Sequence, residues 1–281
     1  MPEHRKNALL CPSCRRLVSA DEPRCPHCGT PRPGSWWKNN AAVRTLYGEN
    51  GLVRAVVALN VVMFALSLLI NTRLPGLTMN PFAFLSPENR SLLFLGATGA
   101  IPIERFGRVW TVISAMYLHG GLLHILFNMI AFTQLAPRVV REYGAYRTLA
   151  IYTLGGAAGF VVSYRAGVPF TIGASGAVCA LIGALLYYGK SRGGIYGQAL
   201  FRHVGGWAVG LLVFGLLMPG INNWAHGGGF VSGIAVACLL GYLERRPESR
   251  GDRLLGVASG AATVAVLVWA AVGGILLRFQ V

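Results

Sequence analysis

Seven apolar runs account for most of the chain beyond residue 52: 53–70, 111–135, 148–164, 174–189, 205–218, 225–243 and 254–277. Their length and composition read as helices in a bilayer, where about 20 residues cross without tilt. Several runs are shorter than that. Short, glycine-rich helices are tolerated when other helices cover them, and Gly155-Gly156, Gly159, Gly229 and Gly233 suit close crossings of this kind. The stretch 71–110 has a different pattern. It holds apolar patches such as Pro81-Phe82-Ala83-Phe84-Leu85 and Ser91-Leu92-Leu93-Phe94-Leu95-Gly96, yet Pro75, Pro81, Pro87 and Pro102 break it. It is expected to be a surface loop lying partly in lipid, not an eighth span. Met1 to Asn50 is polar and bears cysteines, which is unlike a signal peptide.

Composition changes the picture in one respect. Of 281 residues, 54% are apolar and only 12% charged, whereas soluble domains carry about 25% charged residues. An ordinary soluble domain is excluded. The net charge of +15 could signal nucleic acid, but the basic residues are arranged as in a membrane protein. With the N-terminus inside, nineteen of the 25 Lys and Arg face inward, and only Arg73, Arg90, Arg105, Arg108, Arg165 and Arg278 face outward. The positive-inside rule therefore favours a cytoplasmic N-terminus and an outside C-terminus.

The polar head holds Cys11-Pro-Ser-Cys14 and Cys25-Pro-His-Cys28, a CxxC…CxxC pair. Four thiolates at this spacing suit one tetrahedral structural zinc. The segment is too short to bury a useful core, so metal would supply its folding energy. Two disulfides or a redox CxxC are the alternatives, and a cytoplasmic placement favours zinc over disulfides. His27 lies inside a knuckle and is expected to be a bystander. The segment is similar to small zinc ribbons attached to many bacterial proteins. Residues 35–52 read as a linker, with Trp36-Trp37 and Lys38 suited to the membrane interface.

Polar side chains at membrane depth are costly and mark functional sites by default. His119, His124 and Asn128 fall at or within the second run. His124 and Asn128 are four apart and share a helix face. Gly173-Ala174-Ser175-Gly176 heads the fourth run, and His226 opens the sixth. Taken alone, a serine among small residues is common where membrane helices approach closely, and a lone histidine is often a packing residue. In the orientation above, however, runs two, four and six all enter from the outside. Ser175, His226, His124 and Asn128 then share one depth, toward the outer leaflet.

These residues resemble the motifs of rhomboid intramembrane serine proteases: His119-Gly-Gly-Leu-Leu-His124-Ile-Leu-Phe-Asn128, then Gly173-Ala174-Ser175-Gly176, then Ala225-His226-Gly-Gly-Gly229-Phe-Val-Ser-Gly233. The resemblance covers about residues 53–245. It implies Ser175 as nucleophile and His226 as general base. It implies His124 and Asn128 at the oxyanion hole, with the Ser175 N–H as a further donor, and Gly229 and Gly233 as packing glycines. The only aspartates are Asp21 and Asp252, both placed inside, so a dyad is expected instead of a triad unless Glu88 or Glu104 folds inward. Two positions depart from the family pattern: Trp110-Thr111 where Trp-Arg is frequent, and Cys179 where an aromatic residue often stacks on the histidine.

The expected fold is an all-α polytopic membrane protein. A zinc-ribbon-like segment (1–34) and a linker (35–52) precede a six-helix rhomboid core (53–245), and an inside loop with a seventh helix (246–281) follows. The expected activity is a serine endopeptidase cutting transmembrane protein substrates in the lipid bilayer of a bacterial inner (plasma) membrane, with the fifth run bordering the substrate entrance. No cofactor is expected for catalysis. A cytosolic partner for the zinc segment is left open. A nucleic-acid role for Arg15, Arg16 and Arg24 is set aside, because an inside-facing tail carries such charges anyway. The alternatives are an inactive relative that binds membrane clients, and a transporter. No buried acidic residue and no inverted repeat speak for a transporter.

Overall fold

The computed structural model describes residues 8–14, 16–35, 50–72, 84–218 and 220–279. Arg15, Trp36, Trp37 and Lys38, most of the linker, and Pro75 and Pro81 with the first part of the following loop lie outside the described residues. The chain divides into two compact units, Met1–Ala58 and Leu59–Val281.

In the first unit, β1 (Ala8–Leu10) and β2 (Leu17–Ser19) form an antiparallel pair with Leu9 opposite Val18. Among the described residues, Cys11, Val18 and Cys25 form the buried cluster beside the strands, with Leu9 and Cys14 packed against them. So small an apolar cluster cannot offset the entropy of ordering the segment.

Helix α1 (Gly51–Leu69) leads into the second unit. Then follow α2 (Asn89–Phe94), a single wide turn at Ile101–Arg105, and α3 (Thr111–Ser114), which continues into a tight turn at Ala115–Tyr117. Six long helices complete the chain: α4 (Leu122–Tyr143), α5 (Ala145–Arg165), α6 (Ser175–Arg192), α7 (Gly194–Leu217), α8 (Asn223–Leu240) and α9 (Arg250–Phe279). The fold is all-α and polytopic. By length and composition, α1, α4, α7 and α9 suffice to cross a membrane. Helices α5, α6 and α8 exchange apolar bulk for glycine, alanine and polar groups, because they lie against one another.

Helix α6 is the axis of the bundle, with twelve of its eighteen residues buried. A helix apolar on all sides needs neighbours on all sides, and α5, α8, α4 and α7 supply them. The contact with α8 is made by backbone, and that with α5 by glycine against alanine. A β-carbon on Gly233 would stand 2.1 Å from the Ala180 carbonyl oxygen, and one on Gly155 would stand 2.4 Å from Ala180 Cβ.

The second run departs from its expected form. A helix over 111–135 is not continuous: it stops at Tyr117, passes through extended Leu118 and resumes at Leu122. The break falls at His119-Gly120-Gly121, two glycines in succession that cost more to order in a helix than any other residue except proline. His119 therefore lies in the connection before α4, fully buried. Helix α7 begins at Gly194, eleven residues ahead of the run 205–218, and so contains Arg202 and His203. Within 84–110 no helix exceeds six residues. Leu92, Leu95 and Ala97 are buried, while Ile101, Phe106 and Val109 are exposed. Backbone pairing of Thr98 with Thr171 holds this segment beside the α5–α6 connection.

At the opposite end of α5, Arg147 is fully buried. It donates to the carbonyls of Arg246 and Pro247, each at 3.0 Å, and to Asp252 at 2.7 Å. Glu248 accepts from the first amides of α5, Tyr146 N at 2.9 Å and Arg147 N at 3.0 Å. Asp252 thus belongs to the first turn of α9 and to a buried ion pair, not to a solvated loop.

Candidate active site

Ser175 is the first residue of α6, and its carbon-bound hydroxyl stands at a helix start with no side-chain cap. The first amides of a helix have no intrahelical acceptor, so the Ser175 N–H is free to face a developing negative charge. The chain enters this position through Gly173 at φ +124°, a conformation that L side chains rarely adopt. The Gly173 amide donates to the Ala115 carbonyl at 2.8 Å, which ties the turn to the segment before α4.

His226, the fourth residue of α8, places Nε2 2.7 Å from Ser175 Oγ. The start of α8 is fixed by Asn222. Its Oδ1 accepts from Ala225 N at 3.1 Å as an N-cap, and its Nδ2 donates to Ser163 Oγ at 2.6 Å and Thr171 Oγ1 at 2.9 Å. The sequence reading missed this residue. Its signal was present, an asparagine three residues ahead of Ala225 at a helix start.

No carboxylate bonds to His226 among the described residues. Glu88 accepts from the Thr72 hydroxyl, at 2.8 and 3.0 Å to its two oxygens. Glu104 is exposed on the wide turn, and Asp252 pairs with Arg147. Arg147 lies sixteen residues from Ser163 on α5, about 24 Å along the helix.

His124 and Asn128 face the same place from α4. His124 Nδ1 accepts from the Gly120 amide at 3.2 Å. The neutral ring therefore carries its proton on Nε2. That nitrogen lies over Gly173, where a β-carbon would come within 2.8 Å of it and 3.8 Å of Ser175 Oγ. Gly120, a motif glycine whose role was not read from sequence, thus selects the tautomer that makes His124 a donor toward the serine. Asn128 is buried, and its Nδ2 donates one hydrogen to the His124 carbonyl at 2.8 Å. The amide keeps a second hydrogen for another acceptor. His119 packs edge-on against His124 with ring centroids 5.0 Å apart.

The packing glycines stand directly beneath the pair. A β-carbon on Gly229 would lie 2.1 Å from the Gly176 carbonyl oxygen, and one on Gly159 would lie 2.6 Å from that of Ala225. Cys179 is buried one turn below Ser175. Thr111, in place of an arginine, bonds to the Thr98 hydroxyl at 3.0 Å and the Arg108 carbonyl at 2.6 Å, and Arg108 itself donates to the Leu93 carbonyl at 3.0 Å.

In the N-terminal unit, the four Sγ atoms of Cys11, Cys14, Cys25 and Cys28 lie within 4.8 Å of one another. Cys11–Cys28 and Cys14–Cys25 are each 3.7 Å apart, and all four thiols are free. A tetrahedral ion with metal–sulfur bonds of about 2.3 Å sets its ligands about 3.8 Å apart, so the set fits a single metal ion. The Thr30 hydroxyl, 3.1 Å from Cys28 Sγ, and a backbone hydrogen bond from Thr30 lower that thiol to about 6, whereas burial and the neighbouring thiols push Cys14 up to about 11.

A family model described as the Rhomboid domain matches residues 107–243. The chain is 30% identical over 226 residues to RHOMBOID-like protein 1 of Arabidopsis thaliana, a match covering 71% of this chain and 57% of that relative. It is 29% identical over 241 residues to RHOMBOID-like protein 5 of Arabidopsis thaliana, covering 78% and 72%. It is 32% identical over 170 residues to Rhomboid protease GluP of Bacillus subtilis (strain 168), covering 60% and 33%. This chain thus spans little more than half of the first of these relatives and a third of the last.

Proposed function

The chain belongs to the rhomboid family, and on that premise we propose that it is an intramembrane serine endopeptidase acting through a Ser175–His226 dyad. The observation that carries the proposal is the 2.7 Å contact between Ser175 Oγ and His226 Nε2. A serine hydroxyl is a weak nucleophile until an adjacent base takes its proton. As Oγ adds to the scissile carbonyl, His226 accepts that proton and returns it to the leaving amine. The acyl-enzyme is then cleaved by water that His226 activates in turn. The oxyanion is met by the Ser175 N–H, His124 Nε2–H and the second hydrogen of Asn128 Nδ2, donors fixed before the reaction begins.

Substrates are transmembrane segments of other proteins, opened locally so that an amide can reach Ser175. The protein is an integral membrane protein. The compartment proposed is a bacterial inner (plasma) membrane, with the N-terminus cytoplasmic, the C-terminus outside and the site toward the outer leaflet, as the distribution of basic residues favours. The four cysteines hold one structural zinc that takes no part in the chemistry. The alternative, an inactive binder of membrane clients, is disfavoured because the serine and histidine are both present and bonded.

The deciding experiment is labelling with a serine-reactive fluorophosphonate. Wild type should be labelled and Ser175→Ala should not. Equal labelling of both would sink the assignment.

A further inference from the structure

A cleft of about 280 Å³ opens between α9 and the segment ahead of α3, apart from the site described above. Phe94, Arg108, Trp110, Trp269, Gly273 and Leu277 line it. Its shape comes from two adjacent glycines. At Gly274 a β-carbon would lie 2.8 Å from Leu95 Cδ2, so α9 is pressed against the end of α2. At Gly273 a β-carbon would meet nothing within 4 Å, so the helix stands clear of its neighbours there. Trp269 is 67% exposed and Val109 65%. Apolar groups so exposed on a polytopic membrane protein face lipid, and the cleft opens toward the bilayer.

Its length and its charge point to the same occupant. From Trp269 to Leu277 is eight residues, about 12 Å along a helix, against about 15 Å for the hydrocarbon of one leaflet. Two guanidinium groups border it. Arg108 is in the wall, with one N–H given to the Leu93 carbonyl at 3.0 Å. Arg90 lies 5.4 Å from the ring centroid of Phe94. Among the described residues neither is in an ion pair. Guanidinium groups with unused N–H donors match phosphate oxygens in geometry and charge. An apolar slot one leaflet deep, bordered by unpaired cations, suits a molecule that is a hydrocarbon chain below and a phosphate above.

We infer that this cleft binds one anionic glycerophospholipid, with an acyl chain along Trp269–Leu277 and its phosphate on Arg108 and Arg90. The site is at the end of the bundle where Ser175 begins α6, since Thr98 and Thr171 pair across the two connections. It does not depend on the serine being catalytic.

The test is native mass spectrometry of the full chain, purified in detergent, stripped of lipid and titrated with phosphatidylglycerol. Wild type should retain one lipid per chain above the background of weak adducts. Gly273→Leu, which fills the cleft from a position with open space, should weaken that binding at least about tenfold, and Arg108→Gln with Arg90→Gln should do the same. Thermal unfolding in the same detergent checks the fold. If the arginine variant unfolds because the Leu93 bond is lost, Gly273→Leu decides alone. Wild type with no retained lipid, Gly273→Leu with undiminished affinity, or release of the lipid by soluble glycerol phosphate at equal concentration would each overturn the inference.

Discussion

Gly229 meets the carbonyl oxygen of Gly176 so closely that a β-carbon would stand 2.1 Å from it. Helices α6 and α8 therefore cross backbone to backbone, one residue from Ser175 and three from His226. A methyl group here cannot be absorbed by a side-chain rotation, because the opposing atom belongs to the main chain. Gly229→Ala is expected to force the helices apart, at a cost of about 1–3 kcal/mol in stability. Activity should fall by more, on the order of 100-fold, because displacements near 1 Å disrupt reacting geometry. Turnover of a model transmembrane substrate, compared with thermal unfolding in detergent, separates the two effects. Near-normal turnover would show that the crossing is not what sets the Ser–His distance.

Ser175→Ala and His226→Ala should each abolish cleavage while the protein remains folded. The double variant should be little worse than either single one, because the two groups act as a unit. Additive losses in the single and double variants would contradict this.

Substituting His124 or Asn128 with Ala should lower kcat by about 10- to 1,000-fold, with KM little changed, since these donors matter most when charge develops on the oxygen. If both variants cleave at the normal rate, the two residues serve packing alone.

These catalytic candidates were legible in the sequence because the chemistry restricts residue type. Serine at one helix start, with histidines at the same depth in two further helices, is a combination that packing alone rarely calls for. The path of the chain between them was less legible. Apolar content continues through Trp110–Tyr117 and resumes at Leu122, so a hydropathy run cannot register the break at Gly120-Gly121. Nor could the run 205–218 announce the three earlier turns of α7, because Arg202 and His203 interrupt its apolar character while the helix continues. From sequence, Arg147 counts among the inward-facing basic residues and Asp252 falls in an inside loop, with nothing to link them. Their pairing joins residues 105 positions apart and leaves no local trace.

Removing one member of that pair leaves the other buried with fewer partners: Asp252 keeps Arg246 at 3.2 Å and the amide and hydroxyl of Ser249, and Arg147 keeps two carbonyls. Arg147→Met or Asp252→Asn is expected to cost about 3–5 kcal/mol in unfolding assays, whereas replacing both with apolar residues of similar volume should recover much of the loss. A double-mutant cycle measures the coupling directly. Strict additivity would mean that the carbonyls of Arg246 and Pro247, not the carboxylate, hold the arginine.

For the N-terminal unit, about one zinc per chain is expected, lost on Cys11→Ser with Cys14→Ser. A chain beginning near Ser35 should still cleave a simple substrate in detergent. Metal-free protein with two intact disulfides would overturn both the zinc proposal and the cytoplasmic N-terminus. A well-folded truncated chain without activity would show that the metal unit is coupled to the catalytic one.

The pairing of Arg147 with Asp252 also orders events in time. Residues separated by 105 positions leave the ribosome roughly 5–20 s apart, at about 5–20 residues per second. For that interval α5 is already made, while its arginine has neither the carboxylate of α9 nor the carbonyls of Arg246 and Pro247. The start of α5 must remain at a hydrated surface, or in the care of the insertion machinery, until α9 arrives. Helix α9 thus completes the burial of Arg147, and a nascent chain halted before residue 246 should carry an arginine open to solvent that the folded protein conceals.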